Sequence, residues 1–193
     1  MRFFFYRHGQ TKGNIEKRYV GITDEDITAE AAERLKNVNA AKAETVYTSP
    51  MLRCRHTCEL LYTDLKAVII EDLRETDFGS FEYKNYDELK DNRDYIKWLS
   101  SGGKSDFPNG EGSLGFKQRC IFAFENIVFD MARKNIKTAG VVTHGGVIMA
   151  VFEKFNGGNF YDYQIKNNEM ISAEYDTDKK KFYNTDRKLL WMR

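Results

Sequence analysis

Residues 1–14 read MRFFFYRHGQTKGN. Arg2 to Tyr6 is a run of strand length, apolar and aromatic from Phe3 onward, and a strand with no polar alternation is one that is covered on both faces, as parallel strands are. It ends on two basic side chains and a glycine, Arg7, His8 and Gly9. In an open α/β sheet, ligands sit beyond the carboxyl ends of the strands, so His8 stands where chemistry is done and the rest of the chain is searched for its partners.

The same kind of strand recurs. Thr45 to Thr48 (TVYT), Ala67 to Ile70 (AVII) and Ala139 to Thr143 (AGVVT) are short and apolar, and helical patterns alternate with them. That alternation predicts an α/β fold, a three-layer αβα sandwich with a mostly parallel central sheet. Ala29, Ala32, Leu35 and Val38 recur at helical spacing behind Thr28, an N-cap residue type. Ser49 and Pro50 predict a helix starting directly after the second strand, with Ser49 as N-cap, Pro50 at N1 and Arg53 in the first turn. Phe116, Cys120, Ala123, Phe124, Ile127 and Met131 form the longest apolar stripe, a core helix. Ser100 to Gly115 reads as a loop. Near the carboxyl end, MISAEYD and KKFYN flank Thr177, Asp178 and Lys179, which predicts an antiparallel hairpin at the sheet edge, with Lys179, Lys180 and Lys181 guarding it. At 193 residues, one domain over 1–193 accounts for the chain.

Composition excludes several classes of partner. Apolar residues make up 41% of the chain and charged ones 31%, a folding composition. The net charge of +1 gives no global field toward nucleic acid or anionic lipid, so any anion site is local. The apolar start stops at Arg7, too short for a signal peptide or a membrane span, and Cys54, Cys58 and Cys120 are odd in number and lie in helix-like segments. A cytoplasmic protein with reduced thiols is expected, a monomer or homodimer without a nucleic-acid or membrane partner.

If these strands are neighbours in the sheet, three loops converge on one pocket. His8 follows the first strand, Ser49 and Arg53 the second, and His144 the fourth in VVTHGG. Two imidazoles and the guanidinium groups of Arg7 and Arg53 make a tetrahedral oxyanion site, and Gly145 with Gly146 would let the amides of a helix amino terminus approach it. A neutral imidazole in such a pocket can attack phosphorus, with the surrounding cations stabilising the equatorial oxygens and no metal or other cofactor required. The leaving oxygen still needs a proton, and general acid catalysis contributes about 10²–10⁴-fold. Glu75 in LRETDFGSF is the expected donor, with Leu73, Phe78 and Phe81 to desolvate it. Asp77 is its local rival. Arg53 and Arg55 are two apart on a helix, about 200° round its axis, so only one can face the pocket; the same geometry prevents Cys54, His56 and Cys58 from sharing an ion. Mid-helix His56 is read as structural or exposed, and Glu111 as a brace of its loop.

RHGQT with Asn14, YTSPMLR, LRETDFG, FPNGEG and VVTHGG follow the order and approximate spacing of the histidine phosphatase, or phosphoglycerate mutase-like, superfamily. The chain resembles that family along its whole length. The resemblance implies His8 as phospho-accepting nucleophile, Arg7, Arg53 and His144 as the phosphate pocket, Glu75 as proton donor, and Asn14 and Thr11 as contacts to phosphate or substrate. It favours Arg53 over Arg55. Two departures stand out. Glu75-Thr76-Asp77-Phe78-Gly79 replaces the basic E-R-H-Y-G of phosphoglycerate mutases, and an extra glycine precedes Ser113 in FPNGEGSLGF, where relatives have P-x-G-E-S. The expectation is a metal-independent phosphatase acting on a small phosphorylated metabolite, similar to the alpha-ribazole phosphatase branch. A phosphoglycerate mutase, an alpha-ribazole-5'-phosphate phosphatase, a phosphohistidine protein phosphatase and a non-catalytic phosphate-binding module are the alternatives. Tyr19, Phe78, Phe81, Tyr83, Tyr86, Trp98 and Phe107 are candidates for an aromatic rim.

Overall fold

The structure is a computed structural model that describes residues 1–167 and 169–190. Its six strands are β1 (Arg2–Arg7), β2 (Thr45–Thr48), β3 (Val68–Ile69), β4 (Thr138–Thr143), β5 (Glu169–Asp176) and β6 (Lys181–Leu189). They form one sheet in the order β3-β2-β4-β1-β5-β6. The first four strands are mutually parallel, while β5 and β6 run antiparallel as the expected hairpin. The helices are α1 (Lys12–Ile15), α2 (Ala29–Lys36), α3 (Leu52–Leu61), α4 (Tyr86–Leu89), α5 (Arg93–Ser100), α6 (Ser113–Arg133) and α7 (Gly145–Asn156).

The aromatic run of β1 is explained by the two layers it separates. Phe3 and Phe5 pack with Phe124 of α6 and Phe152 of α7, whereas Phe4 and Tyr6 join Leu35 of α2 and Cys54 and Cys58 of α3 on the opposite face. Successive strand side chains point to opposite faces, so a strand buried on both needs an apolar residue at every position. Every residue of the α6 stripe is buried. A third, smaller cluster of Phe81, Leu89, Tyr95 and Trp98 lies under the segment that carries α4 and α5.

Three local expectations are corrected. The third strand is two residues rather than four. In α2, Thr28 does cap the helix, but Ala31 and Leu35 are the buried residues and Ala29 is exposed, so the inward face is turned from the predicted stripe. The helix after β2 begins at Leu52 with Met51 as N-cap; Ser49 Oγ accepts from Met51 N–H at 3.3 Å and lies 2.8 Å from Nε2 of His144, just beyond the neighbouring strand. Arg53 remains in the first turn.

The sheet order decides where the loops meet. β4 lies between β2 and β1, so their carboxyl ends open side by side, and His8 N–H donates to Thr143 O at 2.9 Å. Thr143 Oγ1 donates to Leu73 O at 2.9 Å, which brings the loop after β3 to the same end.

Candidate active site

His8 and His144 face each other with ring centroids 5.2 Å apart. His8 is 3% exposed, and Arg53 and His144 are fully buried, so they form a floor rather than a rim. His8 Nδ1 lies 2.8 Å from Gly9 O. A carbonyl only accepts, so the proton sits on Nδ1 and the lone pair of Nε2 is left for another partner. Burial, then the charges of Arg53 and Arg7, hold the His8 pKa well below the usual imidazole range; the bond to Gly9 O opposes them. His144 is depressed for the same leading reasons, burial followed by Arg53 and His8. Both rings are therefore neutral near pH 7.

The two arginines are held from behind. Arg53 Nη1 donates to Thr23 O at 2.8 Å and its Nη2 to Gly21 O at 2.7 Å. Arg7 Nη1 donates to Ile165 O at 2.8 Å. The Nε of each is buried and has no hydrogen-bond partner among the described residues. Buried donors are nearly always satisfied, so two such atoms beside one imidazole suit an anionic ligand. Arg55 is exposed, in agreement with the helical phase.

Glu75 joins the cluster from the β3 loop. Its Oε1 accepts from Thr76 N at 3.0 Å and its Oε2 from Gly146 N at 3.2 Å. Burial raises its pKa; the two amides, Arg53 and Arg7 only partly offset that. A side chain on Gly146 would put its Cβ 2.4 Å from Glu75 Oε1, so the first turn of α7 must be glycine here for the carboxyl to approach. The Gly146 amide thus serves Glu75, where the sequence suggested an oxyanion. Asp77 has its Oδ1 on Gly79 N at 2.8 Å and does not line the cavity.

Thr11 and Asn14 cap α1 reciprocally. Thr11 is fully buried in that role. Asn14 Oδ1 accepts from Asn167 Nδ2 at 3.0 Å, and the same Nδ2 donates to His8 O at 3.0 Å. His56 pairs at the surface with Asp26, at 2.8 Å. Among the described residues, no group of three or more His, Cys, Asp or Glu side chains is arranged to hold a metal ion, and no helix is long and apolar enough to cross a membrane.

A cavity of about 520 Å³ is lined by Arg7, Glu75, Gly145 and Gly146, whereas His8, Arg53 and His144 are not among its lining residues. Of the expected rim, Tyr19, Phe78, Trp98 and Phe107 line it. Phe81 is buried beneath them, Tyr83 is bonded to Glu25, and Tyr86 is exposed elsewhere. The wall also includes Met149, Phe160 and Tyr161, which no motif marked.

The family model of the histidine phosphatase superfamily (branch 1) matches residues 3–186. An adenosylcobalamin/alpha-ribazole phosphatase of Escherichia coli K12 is 29% identical over 165 residues, which cover 81% of this chain and 80% of the relative. A broad-specificity phosphatase of Saccharomyces cerevisiae is 26% identical, covering 94% and 83%. Among solved structures, a phosphoglycerate mutase from Thermus thermophilus superposes with a TM-score of 0.71 at 25% identity, covering 96% of this chain and 98% of that one. The alpha-ribazole phosphatase of Shigella flexneri shares the fold, with a TM-score of 0.79 at 24% identity and coverage of 94% and 93%.

Proposed function

From the premise that this chain belongs to the histidine phosphatase superfamily (branch 1), we propose that it hydrolyses small phosphomonoesters through a phosphohistidine on His8, with Glu75 as proton donor. One observation carries the reading: an imidazole whose Nδ1 proton is spent on a carbonyl feels the charges of two arginines, each of which has a buried Nε with no partner among the described residues. The lone pair of Nε2 attacks phosphorus, the P–O bond to the leaving group breaks, and the Glu75 carboxyl gives that oxygen its proton. Water then attacks the phosphorus, the Nε2–P bond breaks to release inorganic phosphate, and the Glu75 carboxylate takes up a proton from that water, which returns both groups to their starting forms. Arg7, Arg53 and His144 stabilise the equatorial oxygens, so positive charge comes from side chains rather than from a metal ion.

The cavity favours an ester with a ring or a bulky apolar leaving group. Tyr19, Phe78, Trp98, Phe107, Phe160 and Tyr161 surround the space beyond the phosphate position. The alpha-ribazole phosphate of the E. coli relative belongs to this class. In place of the basic residues that follow the acid glutamate in mutases, Thr76, Asp77 and Phe78 stand here, so hydrolysis is favoured over exchange between phosphoglycerates.

The test is turnover of an aryl phosphate in the presence of chelator, with acid-labile label trapped on the protein by rapid denaturation. Label on wild type but not on His8→Ala is the expected result. Hydrolysis that survives His8→Ala, or that stops on chelation, would refute the reading.

A further inference from the structure

Arg119 on α6 is outside every motif of the sequence, yet all five of its N–H donors are used. Its Nε and Nη2 grip Glu111 at 2.9 and 2.6 Å, and its Nη1 donates to Asp72 O at 2.8 Å and Arg74 O at 2.9 Å. The remaining bond runs from Nη2 to Glu75 O at 3.4 Å. Glu111 in turn accepts from Thr76 Oγ1 at 3.4 Å, and its own N–H donates to Asp77 O at 2.9 Å. Glu111 reaches this spot because the backbones of 77–80 and 108–111 touch: Ser80 N donates to Pro108 O at 2.8 Å, and a Cβ on Gly110 would stand 2.5 Å from Asp77 O. Gly79 sits there at φ +52°, with room for no side chain against Pro108 O.

We propose that Arg119 and Glu111 are positioning residues, a clasp that fixes the peptide chain from Asp72 to Asp77 and thereby aims the Glu75 carboxyl at the leaving oxygen. The assignment rests on the phosphohistidine reading with Glu75 as acid. A fixed guanidinium fork suits the task, since five donors in one plane define the position of several carbonyls at once and a lysine ammonium cannot span them. Because Arg119 has no donor left, it does not bind the substrate phosphate. Its effect passes through the main chain on both sides of Glu75.

The groups around Glu75 come from four elements: Arg7 of β1, Arg53 and Cys54 of α3, Arg119 and Cys120 of α6, and the Gly146 amide of α7. Burial is the leading cause of its raised pKa. A loosened clasp lets water reach the carboxyl and moves the base limb of the pH profile to lower pH.

The experiment compares Arg119→Lys, Glu111→Gln, Glu75→Gln and wild type on an alkyl phosphate and on a nitrophenyl phosphate. The readout is kcat/KM, which reports phosphoryl transfer to His8, the step in which a poor leaving group needs the acid. For the alkyl ester, Arg119→Lys is expected to lower kcat/KM about 10–100-fold, a part of what an acid supplies. For the nitrophenyl ester the loss is about threefold or less, inhibition by inorganic phosphate is unchanged, and the base limb shifts down. Glu111→Gln should act the same way more weakly, which keeps the test informative if Arg119→Lys does not fold. Equal losses on both esters, in step with a lowered Tm, would reduce the clasp to a fold element; unchanged kinetics in both variants would overturn it too. Failure of the parent reading looks different, for then wild type traps no phosphohistidine, or Glu75→Gln itself spares the alkyl ester.

Discussion

Two kinds of arginine meet at the carboxyl end of this sheet and use their donors in opposite ways. Arg119 has five donors and five protein acceptors. Arg7 and Arg53 are anchored through Nη atoms to carbonyls, and each keeps a buried Nε with no partner among the described residues. A guanidinium with every donor satisfied fixes protein; one with a buried donor left over can bind something else. The side-chain type is the same in the two groups, so the unspent hydrogen bond, rather than the arginine itself, is what separates the proposed anion site from the proposed brace.

The open group matters only if a nucleophile uses what it holds, so the largest effect is expected at His8. His8→Ala should lower kcat on an aryl phosphate by at least about 10⁴-fold and abolish trapped phosphoenzyme, measured by steady-state rates and acid-quench labelling. Wild-type labelling in that variant would break the comparison at its root.

Next comes the charge-conserving swap at the open site. Arg53→Lys keeps the charge but cannot hold Gly21 O, Thr23 O and an oxyanion together, and a single lost oxyanion donor costs about 10²–10³-fold in kcat. Inhibition by inorganic phosphate should weaken with it, while Arg119→Lys leaves that inhibition constant. Equal phosphate inhibition in the two variants would erase the distinction drawn here.

Glu75 joins the two groups, and pH sharpens its part. A buried imidazole with a lowered pKa stays neutral below the usual histidine range, and a buried carboxyl with a raised pKa stays protonated above the usual carboxylate range. Activity should therefore be bell-shaped, lost to acid as His8 protonates and lost to base as Glu75 ionises. Glu75→Gln should remove the base limb in kcat/KM profiles and cost about 10²–10⁴-fold on alkyl esters. A base limb that persists would assign it to another group.

The smallest effect is expected at the surface. His56 and Asp26 form a half-exposed pair, and such pairs contribute about 0–1 kcal/mol. His56→Ala should leave kcat/KM at the wild-type value and change thermal stability by less than about 1 kcal/mol. A large loss would show that donors outside both groups matter.

Much of the site was legible because it is local. RHG and THGG each follow an apolar run directly, so a strand end, a base and a glycine could be read within a few residues. Helical phase allowed only one of Arg53 and Arg55 to face the pocket, the family resemblance chose Arg53, and a mid-helix position set His56 aside. What failed had distant causes. Ser49 looked like an N-cap, but its hydroxyl meets a histidine 95 residues away, and α3 starts only at Leu52. Part of the aromatic wall went unmarked, since Phe160 and Tyr161 reach the cavity only after α7 has turned them back over it. Arg119 left no signal, because its partners are chiefly main-chain carbonyls, which every residue has.

By itself, then, the sequence determined the layers and the candidate side chains: an aromatic strand buried on both faces, two histidines and one arginine at strand ends, a second arginine in the helix after the second strand, and one carboxyl after the third strand. Only the tertiary structure decided which nitrogen of His8 is free, which arginines have a donor to spare and what fixes Glu75. Hydrophobic periodicity is written along the chain, residue by residue. Hydrogen-bond saturation depends on which groups from distant segments come within about 3 Å of one another, and that is set by how the layers close.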